Sequence, residues 1–261
     1  MRMLDRLREI YSYKEMIRNL VKKELRGRYQ SSVLGFLWTF LNPLFQIIIY
    51  TIVFSTIMRS GMEQFYLYLT VGMIPWMFFS SSVQGGAMCI VSQQDLVKKI
   101  YFPREVLPVS YVTSCFVNML FCFVIVFLML GISGKGVEPA AMLYLPAVMG
   151  VEYVLALGFA MLTCAFTVYF RDLEHILGVV LQAWIYLTPI MYPMEIVPDS
   201  MEAVFRANPM TAVIQAYHTI LYDKQRPQLI SLCGAFLTGI GLLAAGSVIF
   251  DKLQKGFAEE L

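Results

Sequence analysis

The feature that most constrains this chain is its set of long stretches without Asp, Glu, Lys or Arg. Four runs of more than 20 residues are uncharged, a fifth is interrupted only by Glu152, and a shorter sixth run covers residues 175–194. An α-helix rises 1.5 Å per residue, so about 20 residues cross a hydrocarbon core of about 30 Å. The sequence therefore predicts six membrane-spanning helices, at residues 33–58, 65–90, 107–131, 141–169, 175–193 and 228–250.

The composition agrees with a membrane protein. Hydrophobic residues make up 58% of the 261 residues, charged residues make up 15%, and the mean hydropathy is +0.65. Soluble domains carry about 25% charged residues. We therefore expect an all-α integral membrane protein with a single domain over residues 1–261. Its parts are an amphipathic helix at 1–30, a six-helix region at 33–250 and a tail at 251–261.

The placement of basic residues predicts the orientation in the membrane. An even number of spans puts both termini on one side, and that side carries 15 of the 20 Lys and Arg residues, nine of them before residue 30. Lys and Arg collect in cytoplasmic loops. Both termini are therefore expected in the cytoplasm.

The first 30 residues have the pattern of an amphipathic helix. Basic residues recur every four positions, and apolar residues form a second stripe. Such a helix is suited to the anionic inner leaflet, and a solvated helix against a soluble partner is the alternative. The basic residues are Lys14, Arg18, Lys22 and Arg26, and the apolar ones are Ile10, Tyr13, Ile17, Leu20 and Val21.

The first predicted span contains a helix breaker. Pro43 has no N–H to donate to the Thr39 carbonyl, so a kink is predicted at this point. Residues 33–58 would extend about 39 Å as a straight helix, which also requires a tilt or a kink. Gly27 and Gly35 flank the predicted bend from the interfacial helix into the span.

The segment at 193–227 is too long for a tight turn and too rich in proline for a span. Asp199 with Glu202 three residues later predicts one helix start, and Asn208 followed by Pro209 predicts a second. Two short helices are expected on the outer side. They either lie along the surface or dip back into the membrane as a re-entrant hairpin.

The sequence gives little support for an enzyme. There is no GxxxxGK[ST] phosphate loop, and the five cysteines lie in apolar runs without CxxC spacing, which is typical of packing residues. His175 and His218 fall on opposite predicted sides. The cluster at 171–175 is interpreted as a solvated turn or a partner contact. We expect no catalytic residue, no metal site, no cofactor and no nucleic-acid partner.

Two features inside the predicted spans admit more than one interpretation. Glu152 either hydrogen-bonds a Tyr or Ser of a neighbouring helix or takes part in transport. The aromatic residues either anchor the helices at the interfaces or stack on sugar rings along a pathway. The candidates for a pathway are Trp38, Tyr50, Trp76, Phe79, Glu152, Trp184 and Tyr186.

Three stretches carry a resemblance to a known family. They are "LRGRYQSSVLGFLWTFLNPL", "LVKKIYFPREVLPVS" and "TPIMYP" followed by "ANPMTAVIQAYHTILYD". Together they resemble the membrane subunit of a type-2 ABC exporter, closest to the permeases that export O-antigen, capsular or teichoic acid polysaccharides on lipid carriers. The resemblance covers essentially the whole chain.

The resemblance implies a bacterial plasma-membrane permease that forms a homodimer and binds two copies of a separate ATPase, which holds the ATP and Mg²⁺. It implies that the N-terminal helix touches this ATPase and that residues 94–104 form the main coupling helix, ended by Pro103 and Pro108. It favours the re-entrant hairpin for the outer segment. The residues expected to be exposed to the ATPase at the main site are Asp95, Lys98, Lys99, Arg104 and Glu105, and those of a second contact are Arg171, Asp172 and Glu174.

Two alternatives to polysaccharide export remain. The first is a type-2 permease for a drug, haem or lipid. The second is a small membrane enzyme or a scaffold for envelope assembly.

Overall fold

The computed structural model describes residues 3–28, 32–57 and 62–260, and all regular structure in these ranges is helical. This confirms the predicted all-α class. In chain order the α-helices are α1 (Met3–Ser12), α2 (Lys14–Gly27), α3 (Trp38–Thr51), α4 (Phe65–Met88), α5 (Gln94–Lys99), α6 (Val106–Ser133), α7 (Pro139–Met142), α8 (Leu145–Thr167), α9 (Leu173–Trp184), α10 (Asp199–Ala207), α11 (Pro209–Leu221), α12 (Leu229–Leu253) and α13 (Phe257–Glu260).

The predicted spans coincide with apolar helical segments. Within the described residues, four segments are long and apolar enough to cross a bilayer, and α4 joins them when it is combined with Val91–Lys99 across a bend of 52°. The segment Leu173–Leu187, which contains α9, is apolar but shorter. The count of six crossings therefore stays a prediction. The four long segments are Gly35–Ser55, Val106–Ser133, Pro139–Thr167 and Leu229–Leu253.

The N-terminal amphipathic segment is two helices rather than one. The chain leaves helical geometry at Tyr13, between α1 and α2, and the Ser12 hydroxyl donates to the Glu9 carbonyl at 2.6 Å. After α2, Gly35 adopts a positive φ of 48°, a conformation that suits glycine and allows the chain to turn into the first span. This supports the predicted bend near Gly35.

The first span continues as a helix through Pro43. A 3₁₀ turn at Gly35–Leu37 leads into α3, and a π-helical turn at Ile52–Ile57 follows it. The Thr39 carbonyl, which Pro43 cannot serve, accepts a hydrogen bond from the Cys122 thiol of α6 at 3.4 Å. The neighbouring helix thus supplies the donor that proline removes. Residue 58, the predicted end of this span, lies outside the described residues.

The bundle core is tightest where α8 crosses α12. A Cβ at Gly158 would lie 2.9 Å from the Gly239 carbonyl oxygen, and a Cβ at Gly239 would lie 3.1 Å from the Leu155 Cα. A Cβ at Gly246 would lie 3.1 Å from the Met161 Cβ. Glycine at these positions lets the two backbones approach closely, as is common between membrane helices.

The segment between α9 and α12 forms two short helices, as predicted. Asn208 accepts a hydrogen bond from the Met210 amide at 3.0 Å and Pro209 is the first helical residue, which confirms this predicted helix start. The predicted cap at Asp199 is wrong, because Pro198 occupies the cap position and Asp199 already lies in α10. Most side chains of α11 are buried against α4, α8 and α12, which favours a re-entrant helix; that assignment stays a prediction.

Candidate functional site

One apolar cluster holds the helix ends on one side of the bundle. It combines the end of α4, α5, the start of α6, the ends of α8 and α12, and α13, and the apolar face of α2 packs on it. We call this side, formed by residues 14–28, 89–107, 164–175 and 250–257, the basic end. The first helix to pack on it, α2, and the last described helix, α13, therefore lie on the same side of the bundle. The even number of crossings stays a prediction.

The opposite side, which we call the hairpin end, is closed by contacts around Tyr222. Its hydroxyl donates to the Glu63 carbonyl at 2.5 Å, and the Lys135 ammonium lies 3.5 Å from the centre of its ring. The Lys224 ammonium donates to the Lys135 carbonyl. Partial burial raises the pKa of Asp223 above its ordinary value, while the positive charge of Lys135 acts in the opposite direction. These contacts join the start of α4, the loop after α6 and the end of α11.

The predicted coupling helix presents three charged side chains to solvent. Asp95, Lys98 and Lys99 are all exposed on α5. Lys99 and Asp95 form an ion pair with 3.7 Å between Nζ and Oδ1, and their side chains are 74% and 88% exposed. Such an exposed pair contributes little to stability. Because both side chains are exposed, their charges are accessible to a partner.

The expected exposure of Arg104 and Glu105 is wrong. Arg104 is half-buried, donates to the Gln254 carbonyl and lies 5.7 Å from the centre of the Phe257 ring. Glu105 is only 7% exposed. The chain turns back into the apolar cluster after Phe102, which is 5% exposed, and carries both residues against the protein.

The predicted extent of the coupling helix also needs correction. The helix ends at Lys99 rather than at residue 104, because Ile100 is extended with φ −130° and ψ 136°. Pro103 therefore lies beyond a helix that has already ended. Pro108 does not terminate it either, because it lies in the first turn of α6, where its missing N–H leaves no helix hydrogen bond unmade.

The second predicted contact is a tight turn between α8 and α9 at the basic end. Arg171 and Asp172 are exposed there, and Glu174 is half-buried in the first turn of α9. The turn follows Val168, which belongs to the same apolar cluster as α5. The structure thus places both predicted contacts at one end; their role in coupling stays a prediction.

The interfacial helix α2 has the two faces that its sequence predicts. Its basic residues are exposed, and Tyr13, Ile17 and Leu20 pack on the cluster of the basic end. The helix also packs along α6. Its apolar face therefore rests partly on the protein itself. The exposed basic residues are Lys14, Arg18, Lys22 and Arg26.

Two aromatic candidates for the pathway belong to the packed core. Trp76 is 4% exposed and Phe79 is fully buried. The Phe79 ring packs edge-on against Trp184 with 5.4 Å between the ring centres, and Phe159 packs against both. In this structure the Trp76 and Phe79 rings are therefore covered by their neighbours, and their pathway role stays a prediction.

The remaining aromatic candidates lie closer to the surface, beside a polar strip that the aromatic pattern does not reveal. Trp38, Tyr50 and Trp184 are half-buried, and Tyr186 is 58% exposed. On α3, Asn42 and Gln46 are exposed within an otherwise apolar helix. Hydrocarbon offers an amide no hydrogen bond, so such side chains favour a water-filled or polar surface. Asn42 and Gln46 are four residues apart, so the sequence alone could have placed both amides on the same face of the helix.

Glu152 is a structural residue of the core rather than part of an open surface. It is fully buried, and its Oε2 accepts a hydrogen bond from the Tyr217 hydroxyl at 2.7 Å. This confirms the predicted hydrogen bond to a neighbouring tyrosine and contradicts a position on the surface of a pathway. At the next residue of α11, His218 Nε2 lies 3.0 Å from the Tyr68 carbonyl oxygen, and the His218 and Tyr68 rings stack with centres 3.7 Å apart.

The sequence that forms these surfaces is similar to a known family. Residues 15–222 match the model of a family described as ABC-2 type transporter. The chain belongs to the ABC-2 type transporter family. The match runs from α2 to the end of α11 and so includes α5, the aromatic core and the two short helices α10 and α11. An ABC-2 type transporter with several apolar helices is a multi-pass membrane protein.

Individual ABC-2 type relatives align over most of their length. The chain is 34% identical to the O-antigen export system permease protein RfbA of Myxococcus xanthus, over 99% of this chain and 100% of that protein. It is 28% identical to the protein of the same name from Klebsiella pneumoniae, over 93% of each chain. It is 24% identical to the polysialic acid transport protein KpsM of Escherichia coli, over 77% of this chain and 79% of that protein.

In this ABC-2 type transporter the structure also reveals an apolar feature beside the predicted coupling charges. Tyr101 is 95% exposed and Ile100 is 54% exposed, directly after α5. The sequence prediction for this segment considered its charged residues, and it did not include Ile100 or Tyr101. Exposed aromatic and aliphatic residues next to a charged rim are typical of a protein interface.

Proposed function

We propose that this ABC-2 type transporter is the membrane subunit of an ATP-driven exporter. It moves a lipid-linked polysaccharide, such as O-antigen, capsule or teichoic acid, from the cytoplasm to the outer side of a bacterial plasma membrane. The observation that carries the proposal is the end-to-end alignment with the O-antigen export permease of Myxococcus xanthus.

The basic end supplies the surface for the proposed ATPase partner. Asp95, Lys98 and Lys99 lie on the helix that directly precedes the exposed Tyr101, and α2 adds a row of exposed cations. An apolar anchor within a charged rim is how protein interfaces are commonly built. The helices behind it share one apolar cluster, so a displacement of α5 reaches several helix ends together.

Two helices carry the argument for a homodimer with a pathway between its subunits. The outward face of α9 exposes Ile176, Val179 and Val180, and α3 exposes Asn42 and Gln46. A polar strip of this kind is unfavourable against lipid. Facing a second copy across a hydrated pathway, the same strip would provide hydrogen bonds to the hydroxyl groups of a sugar chain.

The proposed topology has six crossings with both termini in the cytoplasm. The short α9 starts at the basic end, and the chain continues to Tyr192, whose carbonyl accepts from the Tyr68 hydroxyl at 3.1 Å. Tyr68 lies in the first turn of α4, next to the hairpin end. The 3₁₀ turn at Ile185–Leu187 and the residues from there to Tyr192 therefore add to the length of the short helix α9.

Co-purification with the ATPase and an export assay test the proposal together. We expect the chain to bind an ABC ATPase subunit, the complex to hydrolyse ATP, and cells without the chain to accumulate polymer inside while their surface polymer is lost. Normal surface polymer in the deletion strain would contradict polysaccharide export. ATP hydrolysis that depends on a drug or a free lipid would instead support a type-2 permease of another substrate class.

A further inference from the structure

A polar cavity of about 160 Å³ lies between the end of α2 and helices α3, α4 and α6. This volume is well above that needed for one water molecule. Its wall combines apolar side chains with a smaller set of polar ones. The polar members are Arg28, Trp38, Thr39, Asn42, Ser81 and Asn118.

Arg28 differs from the basic residues at positions 8–26, which are all exposed, because its side chain points into the protein. It is 22% exposed, and its Nη2 donates to the Cys115 sulfur of α6 at 3.0 Å. Its Nε lies 3.8 Å from the Glu24 carboxylate, beyond hydrogen-bond range, and the guanidinium lies 5.8 Å from the centre of the Tyr111 ring. A guanidinium has five N–H donors, and a thiol is a weak acceptor. The charge is therefore only partly compensated by the described residues.

The second observation is a buried hydroxyl group in the same cavity that lacks a hydrogen-bond partner. The Thr39 hydroxyl is buried and has no hydrogen-bond partner among the described residues. Asn42, one turn along α3, also lines the cavity and remains exposed. Buried polar groups are normally satisfied, so an unpartnered hydroxyl beside a partly compensated cation indicates room for a bound polar group.

The position of the cavity indicates the kind of molecule that can reach it. Arg28 follows directly on α2, seven residues before the first span begins at Gly35, where an interfacial helix gives way to a membrane helix. Phe36 and Phe121 pack edge-on nearby with 5.3 Å between their ring centres, and both are exposed. A lipid whose tails lie on these rings would bring its phosphate to the level of Arg28.

We propose that this cavity binds the phosphate group of a membrane lipid. Arg28 pairs with the phosphate oxygens, and the Thr39 hydroxyl and the Asn42 amide hydrogen-bond to the same group. Two sources share this chemistry: an anionic phospholipid of the leaflet, and the diphosphate that joins a polyisoprenoid carrier to its cargo. The second source rests on the proposed export function, whereas the first does not.

Binding to the purified full-length permease in detergent tests the proposal without requiring transport. The probes are phosphatidylglycerol and a polyisoprenyl diphosphate, each paired with its phosphate-free counterpart, a diacylglycerol and a polyisoprenol. Titrations followed by native mass spectrometry should show tighter binding of the phosphate-bearing member of at least one pair. Preference confined to phosphatidylglycerol identifies a leaflet lipid, and preference confined to the diphosphate identifies the carrier.

The change Arg28→Ala should weaken this binding about tenfold or more, since it removes a charge-assisted hydrogen bond. Arg8→Ala, which removes an exposed arginine from α1, is the matched control and should change it less than about twofold. Equal affinities for both members of each pair, or equal effects of the two substitutions, overturn the proposal. Phosphate binding by a protein that exports no polysaccharide would contradict the proposed export function and leave the phosphate site supported.

A second variant keeps the test decisive if Arg28→Ala does not fold. Trp38 lines the cavity, is half-buried and is not one of the proposed phosphate ligands, so replacing it with the photo-crosslinking residue p-benzoylphenylalanine should preserve both the fold and the phosphate contacts. Illumination should attach the phosphate-bearing probe, and an excess of its phosphate-free counterpart should not compete. Competition by the phosphate-free lipid would mean that the cavity recognises tails rather than phosphate, and the proposal would fail.

Discussion

The Tyr217 hydroxyl donates a hydrogen bond of 2.7 Å to the Glu152 carboxyl group and thereby joins α11 to α8 inside the protein. Each partner is fully buried. The contact fixes the depth at which the second short helix of the hairpin packs, and it gives the acidic group of the fourth span a structural role.

Replacing Glu152 should therefore reduce stability before it affects transport chemistry. Glu152→Ala removes the acceptor and leaves the Tyr217 hydroxyl unpaired, at an expected cost of about 1–3 kcal/mol. Glu152→Gln keeps an oxygen acceptor and should cost less than about 1 kcal/mol while export continues. Thermal unfolding in detergent and an export assay measure the two quantities. A stable Glu152→Gln variant without export would contradict the structural role.

The exposed charges of α5 should determine ATPase binding. Charge reversal in Lys98→Glu with Lys99→Glu should weaken binding of the ATPase subunit about tenfold or more, because two attractive contacts become repulsive. Arg226→Glu makes a charge reversal of the same kind at an exposed position beyond α11 and serves as the control. Pull-down of the ATPase and membrane fractionation of both variants provide the measurement. Equal ATPase binding by the two variants would remove α5 from the interface.

The exposed ring that follows α5 should also contribute to ATPase binding. Tyr101→Ala should weaken this binding by about 1–2 kcal/mol, which is about 5- to 30-fold, because the ring is expected to fill a pocket of the partner. Ile230→Ala, at a residue 90% exposed on α12, should leave binding unchanged. Titration of purified ATPase onto the permease in nanodiscs separates the two outcomes.

The polar strip of α3 should matter for export but not for insertion. Asn42→Leu with Gln46→Leu should reduce export severalfold, because apolar side chains cannot hydrogen-bond a sugar chain, while the protein should remain at least as stable in the membrane. Thr238→Val is a control of similar polarity change on the exposed side of α12, where the hydroxyl bonds only to the Gly234 carbonyl of its own helix. Retained export in the double variant would mean that this strip does not face the pathway.

At the crossing of α8 and α12, a larger residue in place of Gly239 should destabilise the protein. Gly239→Val is expected to cost about 1–3 kcal/mol, because the new atoms would overlap the backbone of α8. Gly241→Val has open space around its Cβ position and should cost far less. The difference between their melting temperatures in the same detergent measures the effect of the close approach.

Much of the fold was predictable because it depends on length and polarity alone. Uncharged runs located the helices of all six predicted spans, and the four-residue spacing of basic residues correctly placed the exposed face of α2. The sequence predicted the directions of individual side chains less well. Glu105 and Trp76 are buried because the tertiary packing turns their segments inward, which no local pattern encodes.

Arg28 shows where a sequence signal existed but was too weak. It lies 11 residues after Ile17, and at 100° per residue this separation places it only about 20° from the apolar face of α2. As one of the nine basic residues before residue 30, Arg28 entered only the count that predicts the orientation. Its contacts with Cys115 and Tyr111 of α6, which show that it turns inward, depend on tertiary packing.

The hydrogen bond from Cys122 to the Thr39 carbonyl also bears on how force could pass through the molecule. Within α3 the ladder of backbone bonds is interrupted at Pro43, and the freed carbonyl depends on a thiol, which is a weak donor. That donor belongs to α6, the helix whose first turn follows α5. A shift of α6 along its axis would therefore move the Thr39 carbonyl. It would act on the first span at the proline, where one backbone hydrogen bond is lacking and the helix bends most easily.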